Sequence, residues 1–304
     1  MESFGVQVIP CSAIPMKPSL SKLLLVAVLP VSASFAVLAL GAVGRNIWLI
    51  HLLAICLTCV LAIAGSQLTY LARIPSPAFA IILLTLVGAI VPLLHHTPGP
   101  NRWASLGPLN LYLAPLLLPS FFAACAVYIH KRGNYDLPAF VTAFGLSVLL
   151  AVQPDASQVL GLLAGSTVNF VRYRADRVKS AITLVAIALV TVWTFTRPDP
   201  LVPVPYVEGV FALALGHSLL AGLAISISAI ALLLALVLGS FKGSSWLAAV
   251  AAYYAVLFAC SVAGLTPAPL IGYGAGPLLG FGLMVAVSRW VEAEIQSDNS
   301  LRAV

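Results

Sequence analysis

The chain has 304 residues, of which 61% are hydrophobic and only 8% are charged, and its mean hydropathy is +1.07. Soluble globular domains are about 45–50% apolar and about 25% charged, so the composition excludes an ordinary soluble domain. The formal charge of +6 is not accompanied by any nucleic-acid-binding motif. We therefore predict an integral membrane protein that does not bind nucleic acid.

Ten apolar segments can be drawn, most of them close to the 20 or so residues that a membrane-spanning helix needs. They lie at about 20–43, 48–70, 77–95, 108–129, 137–152, 155–171, 179–195, 208–238, 245–264 and 268–290. The eighth is long, which favours a single helix that is tilted or extends beyond the bilayer. The prediction is an all-α, polytopic protein of about ten transmembrane helices. Its single domain, 1–304, comprises a tail at 1–19, the bundle at 20–290 and a second tail at 291–304.

The lysines and arginines predict the orientation of this bundle. With the N-terminus in the cytoplasm, twelve of them fall in inner segments and three, Arg45, Arg102 and Arg197, fall outside. Cationic residues in short loops favour the cytoplasmic side, so both termini are predicted to be cytoplasmic. The segment 172–179, RYRADRVK, is the strongest inner anchor, and membrane topology with contact to anionic lipids explains its charge.

The outer face carries few groups that could support chemistry. Arg102 and Trp103 stand together in the loop 98–108, where arginine would suit a phosphate and tryptophan a sugar face, although both also suit an interfacial anchor. Asp155 follows a proline at a sharp turn. It either caps the next helix or orients an arginine or a substrate hydroxyl.

Two ionisable residues mark the eighth segment. Glu208 stands at its start, where it could stabilise the helix dipole or, facing a cavity, act as a general base. His217 follows about 13 Å deeper, a depth at which an ionisable group is a functional candidate unless it bonds a backbone carbonyl or Ser218. Asp199, between two prolines, is typical of a turn.

The last segment opens with a glycine-rich stretch at 272–282. Its glycines at 272, 276 and 280 would let helices approach closely, and Pro277 would bend the helix. Tyr273, a polar residue in the same turn, suits a broken helix that lines a cavity. Cys56 and Cys59 form a CxxC motif within an apolar segment without further metal ligands, which favours helix packing.

Taken together, four stretches in this order resemble the SEDS family of shape, elongation, division and sporulation proteins (FtsW/RodA/SpoVE). They are NRWASLGP at 101–108, VQPDAS at 152–157, VEGVFALALG at 207–216 and PLIGYGAGPLL at 269–279. The resemblance covers nearly the whole chain. It places Glu208 where the family has an essential aspartate, within a loop that is much shorter here.

The resemblance implies a peptidoglycan-type glycosyltransferase, or a relative of one, in the bacterial inner (plasma) membrane. The ligand would be a polyprenyl-pyrophosphate-linked saccharide of the lipid II type, with Arg102 at the pyrophosphate, Asp155 shaping the cavity and Glu208 as the base. A penicillin-binding-protein-like transpeptidase would be the partner. No nucleotide cofactor is expected, and a divalent cation stays open. The alternatives are a non-catalytic scaffold for a partner enzyme and, less favoured, a transporter of lipid-linked glycans.

Overall fold

The structure is a computed structural model that describes residues 20–67, 77–94, 101–106, 109–131, 137–198, 202–241 and 244–302. Within these ranges the chain forms eleven α-helices and one antiparallel β-hairpin, β1–β2. In chain order they are α1 (Leu20–Leu40), α2 (Arg45–Gln67), α3 (Pro77–Leu94), β1 (Trp103–Leu106), β2 (Leu109–Tyr112), α4 (Leu113–Lys131), α5 (Leu137–Val152), α6 (Ala156–Arg172), α7 (Arg177–Phe195), α8 (Val210–His217), α9 (Leu219–Phe241), α10 (Leu247–Val262) and α11 (Ala275–Arg302).

The bundle is organised around α4 and α11. Helix α4 is buried over most of its length, and its Phe121 and Phe122 are fully inaccessible to solvent. Helix α11 packs against α2 on one side and α4 on the other, while α6 packs against α10. The outer helices instead present long apolar side chains, such as Leu189 of α7 and Leu234 of α9, to the exterior. That arrangement suits a bundle surrounded by lipid.

Five of the described helices are long and apolar enough to cross a membrane, namely α2, α3, α4, α7 and α9. Three shorter apolar helices occupy Leu24–Leu40, Leu137–Val152 and Leu247–Val262. The helical, polytopic membrane fold predicted from hydropathy is therefore confirmed.

The eighth predicted segment is not one long helix, and this expectation is corrected. Ser218 adopts an extended conformation, with φ −166° and ψ 155°, and separates α8 from α9. Its Oγ accepts a hydrogen bond from the N–H of Ala221 at 3.2 Å, which caps the start of α9. The eighth segment is therefore longer than one membrane span because it contains two helices separated by a break, and not because a single helix is tilted.

Two further boundaries differ from the prediction. Strands β1 and β2 pair just before α4, so α4 begins at Leu113 instead of near 108. The last helix begins at Ala275, after an irregular segment at 263–274, and runs to Arg302. Pro277 therefore lies in its first turn, where proline fits the helix, and not at a bend.

The helices give the bundle two chemically distinct ends. At the hairpin end, the β-hairpin, the turn at 153–155 and the loops at 202–209 and 263–274 come together. At the basic end, Arg172 of α6 donates to the carbonyl of Ser240 in α9 at 3.2 Å. Helix α6 connects the two ends, since it begins beside Asp155 and ends at Arg172.

Candidate functional site

A cavity of about 320 Å³ opens at the hairpin end. Segments far apart in the sequence line it: the hairpin, the loop before α8 and the irregular segment before α11. Its wall is formed by Ile50, Trp103, Asn110, Tyr112, Val204, Val207, Glu208, Pro267, Tyr273, Gly274, Ala275, Gly276 and Pro277. Three of the predicted site residues, Trp103, Glu208 and Tyr273, are thus brought together.

Glu208 lies half-buried on the cavity wall, in a tight turn that ends just before α8. One oxygen of its carboxylate, Oε2, accepts a hydrogen bond from the N–H of Val204 at 2.9 Å. The carbonyl of Val204 in turn accepts from the N–H groups of Val207 and Glu208, both at 3.0 Å. The carboxylate therefore closes its own turn while facing the cavity.

Tyr273 lines the same cavity as Glu208, from the segment before α11. Its backbone N–H donates to the carbonyl of Tyr206 at 2.9 Å, and its ring lies 6.1 Å from that of Tyr206 and 6.1 Å from that of His51, between centroids. Burial, followed by the neighbouring Tyr206, raises the pKa of the Tyr273 phenol. The phenol therefore stays protonated at neutral pH and can donate a hydrogen bond.

Tyr112, which is part of the wall, connects the cavity to the buried Asp155. Its hydroxyl donates to Asp155 Oδ2 at 2.5 Å, and the hydroxyl of Ser157 donates to Oδ1 at 3.2 Å. Asp155 is 1% exposed. Burial raises the pKa of this carboxyl, against the opposing effect of the Arg102 guanidinium. Asp155 makes no side-chain hydrogen bond to cap α6, although it occupies the N-cap position.

Arg102 is also buried behind the wall, with 4% of its surface exposed. Its Nε donates to the carbonyl of Gln153 at 3.0 Å, and a terminal nitrogen donates to the carbonyl of Pro154. The guanidinium thereby connects the hairpin to the turn between α5 and α6 through hydrogen bonds. It does not line the cavity, so its contact with a pyrophosphate stays a prediction.

The polar network continues beyond the residues that sequence reasoning singled out. Tyr253 of α10 donates to Gln158 Oε1 at 2.6 Å, and Gln158 Nε2 lies 3.4 Å from the hydroxyl of Thr266. Gln153 Nε2 donates to the carbonyl of Ala89 in α3 at 2.6 Å. The sequence spacing could have indicated Gln158, because it follows Asp155 by three residues, about one helical turn. Residues at this spacing lie on the same face of a helix.

His217 lies elsewhere. It is the last residue of α8, is exposed, and is absent from the cavity wall. The histidine that does approach the site is His51 of α2, whose Nε2 is 2.7 Å from the hydroxyl of Ser34. Its position beside Tyr273 could not be read from sequence, because the two are more than 200 residues apart.

No group of three or more His, Cys, Asp or Glu residues that could hold a metal ion occurs in the described ranges. Asp199 lies outside those ranges. Within them, the cavity wall offers one carboxylate, two phenols, an indole and the side-chain amide of Asn110. These groups can donate hydrogen bonds to the hydroxyl groups of a ligand and accept hydrogen bonds from them. The aromatic rings can also stack on an apolar face of the ligand.

Comparison with solved structures relates this architecture to a known fold. The crystal structure of the rod-shape-determining protein RodA of Thermus thermophilus matches with a TM-score of 0.64 and 22% identity, over 88% of this chain and 95% of that one. A mutant of the same protein matches equally well, over 96% of its own chain. A structure described as the coordination of polymerization and crosslinking by a peptidoglycan synthase complex matches with a TM-score of 0.62 and 18% identity, over 88% of this chain and 97% of that one.

No family model and no curated protein sequence matches the chain. At 22% identity the structural likeness establishes the fold. The chain therefore has the RodA fold, which is the fold implied by its four SEDS-like stretches.

Proposed function

We propose that this chain is a divergent SEDS protein of the bacterial inner membrane that binds a polyprenyl-pyrophosphate-linked saccharide in cell-wall synthesis, in a role in cell shape or division. The observation that carries the proposal is the cavity at the hairpin end. On a RodA fold, it gathers Trp103, Glu208 and Tyr273, residues from three of the four stretches that resemble the family.

The chemistry of the wall fits a saccharide. Aromatic rings such as those of Trp103 and Tyr273 pack against the apolar face of a sugar, and the Tyr273 hydroxyl can donate to a ring substituent. Glu208 supplies an acceptor for a sugar hydroxyl. The exposed apolar surface of the neighbouring helices gives the polyprenyl chain a place in the lipid.

Glycosyl transfer is the reaction that this arrangement supports. The acceptor hydroxyl would attack the anomeric carbon of the donor sugar, and the bond to the pyrophosphate would break. Glu208 would take the proton of that hydroxyl, and the lipid pyrophosphate would leave with the bonding electrons. The donor thus carries its own leaving group, so no nucleotide is required.

A second candidate is a non-catalytic member that binds the lipid-linked saccharide and recruits a transpeptidase of the penicillin-binding-protein type. The hydrogen bonds of Glu208 to Val204 and of Arg102 to backbone carbonyls favour it, because both side chains already hold the site in shape. One of the structural neighbours is a peptidoglycan synthase complex. A transporter of lipid-linked glycans is the least favoured reading.

The test compares wild-type protein with Glu208→Gln in two assays, lipid II binding and lipid II polymerisation. Glu294→Gln at the basic end is the matched control, because it makes the same chemical change away from the cavity. We expect lipid II binding by all three proteins, and polymer from wild type and Glu294→Gln only, with a loss of about 10²-fold or more in Glu208→Gln.

The outcomes separate the candidates. Binding without polymer in every protein would support the scaffold, and flipping of lipid II across vesicles without polymer would support the transporter. Absence of lipid II binding in the wild type would overturn the proposal itself.

A further inference from the structure

A second and larger cavity, of about 710 Å³, lies at the basic end, where α6 ends and α7 begins. The residues that matter for its chemistry are Phe170, Val171, Arg174, Arg177, Ser180 and Leu184. It therefore combines two guanidinium groups with an apolar wall. Helix α6 is 17 residues long, which places this cavity about 25 Å from the hairpin end.

The two arginines keep their positive charge available to a ligand. Both are exposed, and neither makes a side-chain hydrogen bond or ion pair within the part of the chain that the structure describes. Asp176, which lies between them in the sequence, uses its Oδ1 to accept a hydrogen bond from the N–H of Lys179 at 2.9 Å. Arg172 points to the α9 side, 5.2 Å above the ring of Phe241.

Arg174 occupies a backbone conformation that does not favour arginine. Its φ is +52°, in the left-handed region, directly after Tyr173, the C-cap of α6. Glycine, or less often asparagine, is the usual residue at this position of a helix C-terminus. An arginine held there against its backbone preference suggests a role for the guanidinium.

The face of α7 next to the cavity is also apolar and faces away from the bundle. Val171, in the last turn of α6, has an exposed side chain, and Val178, Ile182 and Val185 form an exposed apolar stripe on α7. A ligand with a charged head and an apolar tail could place the head between the arginines and the tail along this stripe. A soluble anion would leave the stripe uncovered.

We infer that this cavity binds the head group of an anionic phospholipid of the cytoplasmic leaflet. The phosphate lies between Arg174 and Arg177, and its acyl chains run along α7. Basic pockets between transmembrane helices on the cytoplasmic side bind such head groups. The hydroxyl of Ser180, which is buried and has no hydrogen-bond partner among the described residues, supplies a polar contact within the same cavity.

The test uses the purified full-length chain in detergent micelles. Binding of phosphatidylglycerol and of phosphatidylcholine with identical acyl chains is measured by native mass spectrometry and by the rise in unfolding temperature. We expect tighter binding of phosphatidylglycerol, and a loss of about five-fold for each of Arg174→Gly and Arg177→Gln. Arg45→Gln, which removes an arginine at the other end of the bundle, is expected to bind phosphatidylglycerol as the wild type does.

Arg174→Gly also separates loss of the site from loss of the fold. Glycine adopts a positive φ without steric cost, so this variant is expected to be at least as stable as the wild type without lipid while it binds phosphatidylglycerol more weakly. Unchanged phosphatidylglycerol binding by Arg174→Gly, or equal binding of the two lipids by wild type, would overturn the inference. Equal stabilisation by inorganic phosphate would also overturn it, since the ligand would then be a soluble anion.

Discussion

At the scale of single residues, the site depends on polar side chains that bond to the protein itself. Asp155 is the clearest case. It is fully buried, and its two oxygens accept from Tyr112 and Ser157, while the Arg102 guanidinium lies close enough to lower the pKa that burial raises. The carboxyl therefore holds the hairpin against the start of α6.

A pH dependence follows from this burial. The pKa of Asp155 is raised above 3.8 in the folded chain, so folding favours the protonated form. Its contribution to stability is fully present below the unfolded pKa and is lost as the pH rises through the folded pKa. Asp155→Asn stays neutral at every pH. The free energy of unfolding of the wild type should therefore fall relative to that of the variant as the pH rises from about 4 towards neutrality, by about 1.4 kcal/mol for each unit that the pKa is raised.

Thermal unfolding in detergent across this pH range measures the difference between the two proteins. A difference that does not change with pH would show that burial leaves the pKa of Asp155 unaltered. Asp176→Asn, a change in an exposed helix cap, is the control for general effects of acid on the bundle.

The sequence predicted several residues that line the cavity, but it did not predict which groups their side chains contact. Trp103, Glu208 and Tyr273 were recognisable because each is a polar or aromatic residue within a glycine- or proline-rich stretch on the predicted outer side. The partners of Arg102 were not predictable, because they are backbone carbonyls, which every residue has. Only the path of the chain decides which carbonyls a guanidinium meets. For the same reason, the contact of Glu208 with the N–H of Val204 could not be anticipated.

At the scale of elements, hydropathy located most helices but missed the places where the backbone changes course. The break at Ser218, the β-hairpin and the irregular segment before α11 all lie within or beside apolar sequence. Hydropathy measures the preference for lipid, whereas these features depend on hydrogen bonding and capping. The glycine pattern of the last segment was more informative, since Gly276 and Gly280 both lie against the backbone of the segment that includes β2 and the start of α4.

The contact of α11 with α4 gives a prediction at this scale. A Cβ at Gly280 would lie 2.1 Å from the carbonyl oxygen of Pro115 and 2.9 Å from the Cα of Leu116. Because these are backbone atoms, the two helices would have to separate. Gly280→Ala should therefore destabilise the bundle by about 1–3 kcal/mol.

Gly145 of α5 is the matched control, since a Cβ there would meet nothing within 4 Å. Alanine is a better helix former than glycine, so Gly145→Ala should be neutral or stabilise by up to about 1 kcal/mol. Thermal unfolding of both variants measures the effect. Equal stability of the two would mean that α11 and α4 are not in close backbone contact at Gly280.

At the scale of the whole molecule, the two proposed sites lie at opposite ends of the bundle and differ in their chemistry. The hairpin end presents aromatic and carboxylate groups in a small cavity, which fits the saccharide part of the proposed lipid-linked ligand. The basic end presents the exposed guanidinium groups of Arg174 and Arg177 beside an apolar stripe, which fits the proposed anionic lipid. The assignment of each end to one side of the membrane rests on the distribution of lysine and arginine, twelve on one side and three on the other.

This orientation can be tested by labelling single cysteines in a variant that lacks the five native ones. Val202, 85% exposed in the loop before α8, marks the hairpin end, and Arg177, exposed at the start of α7, marks the basic end. In intact spheroplasts, a membrane-impermeant maleimide should label Val202→Cys, and it should label Arg177→Cys only after the membrane is opened. The reverse pattern would place the saccharide cavity on the cytoplasmic side, opposite to the side predicted from the lysines and arginines. The basic end would then lie on the outer side, so its cavity could not bind a lipid of the cytoplasmic leaflet. This single measurement therefore tests both proposed sites.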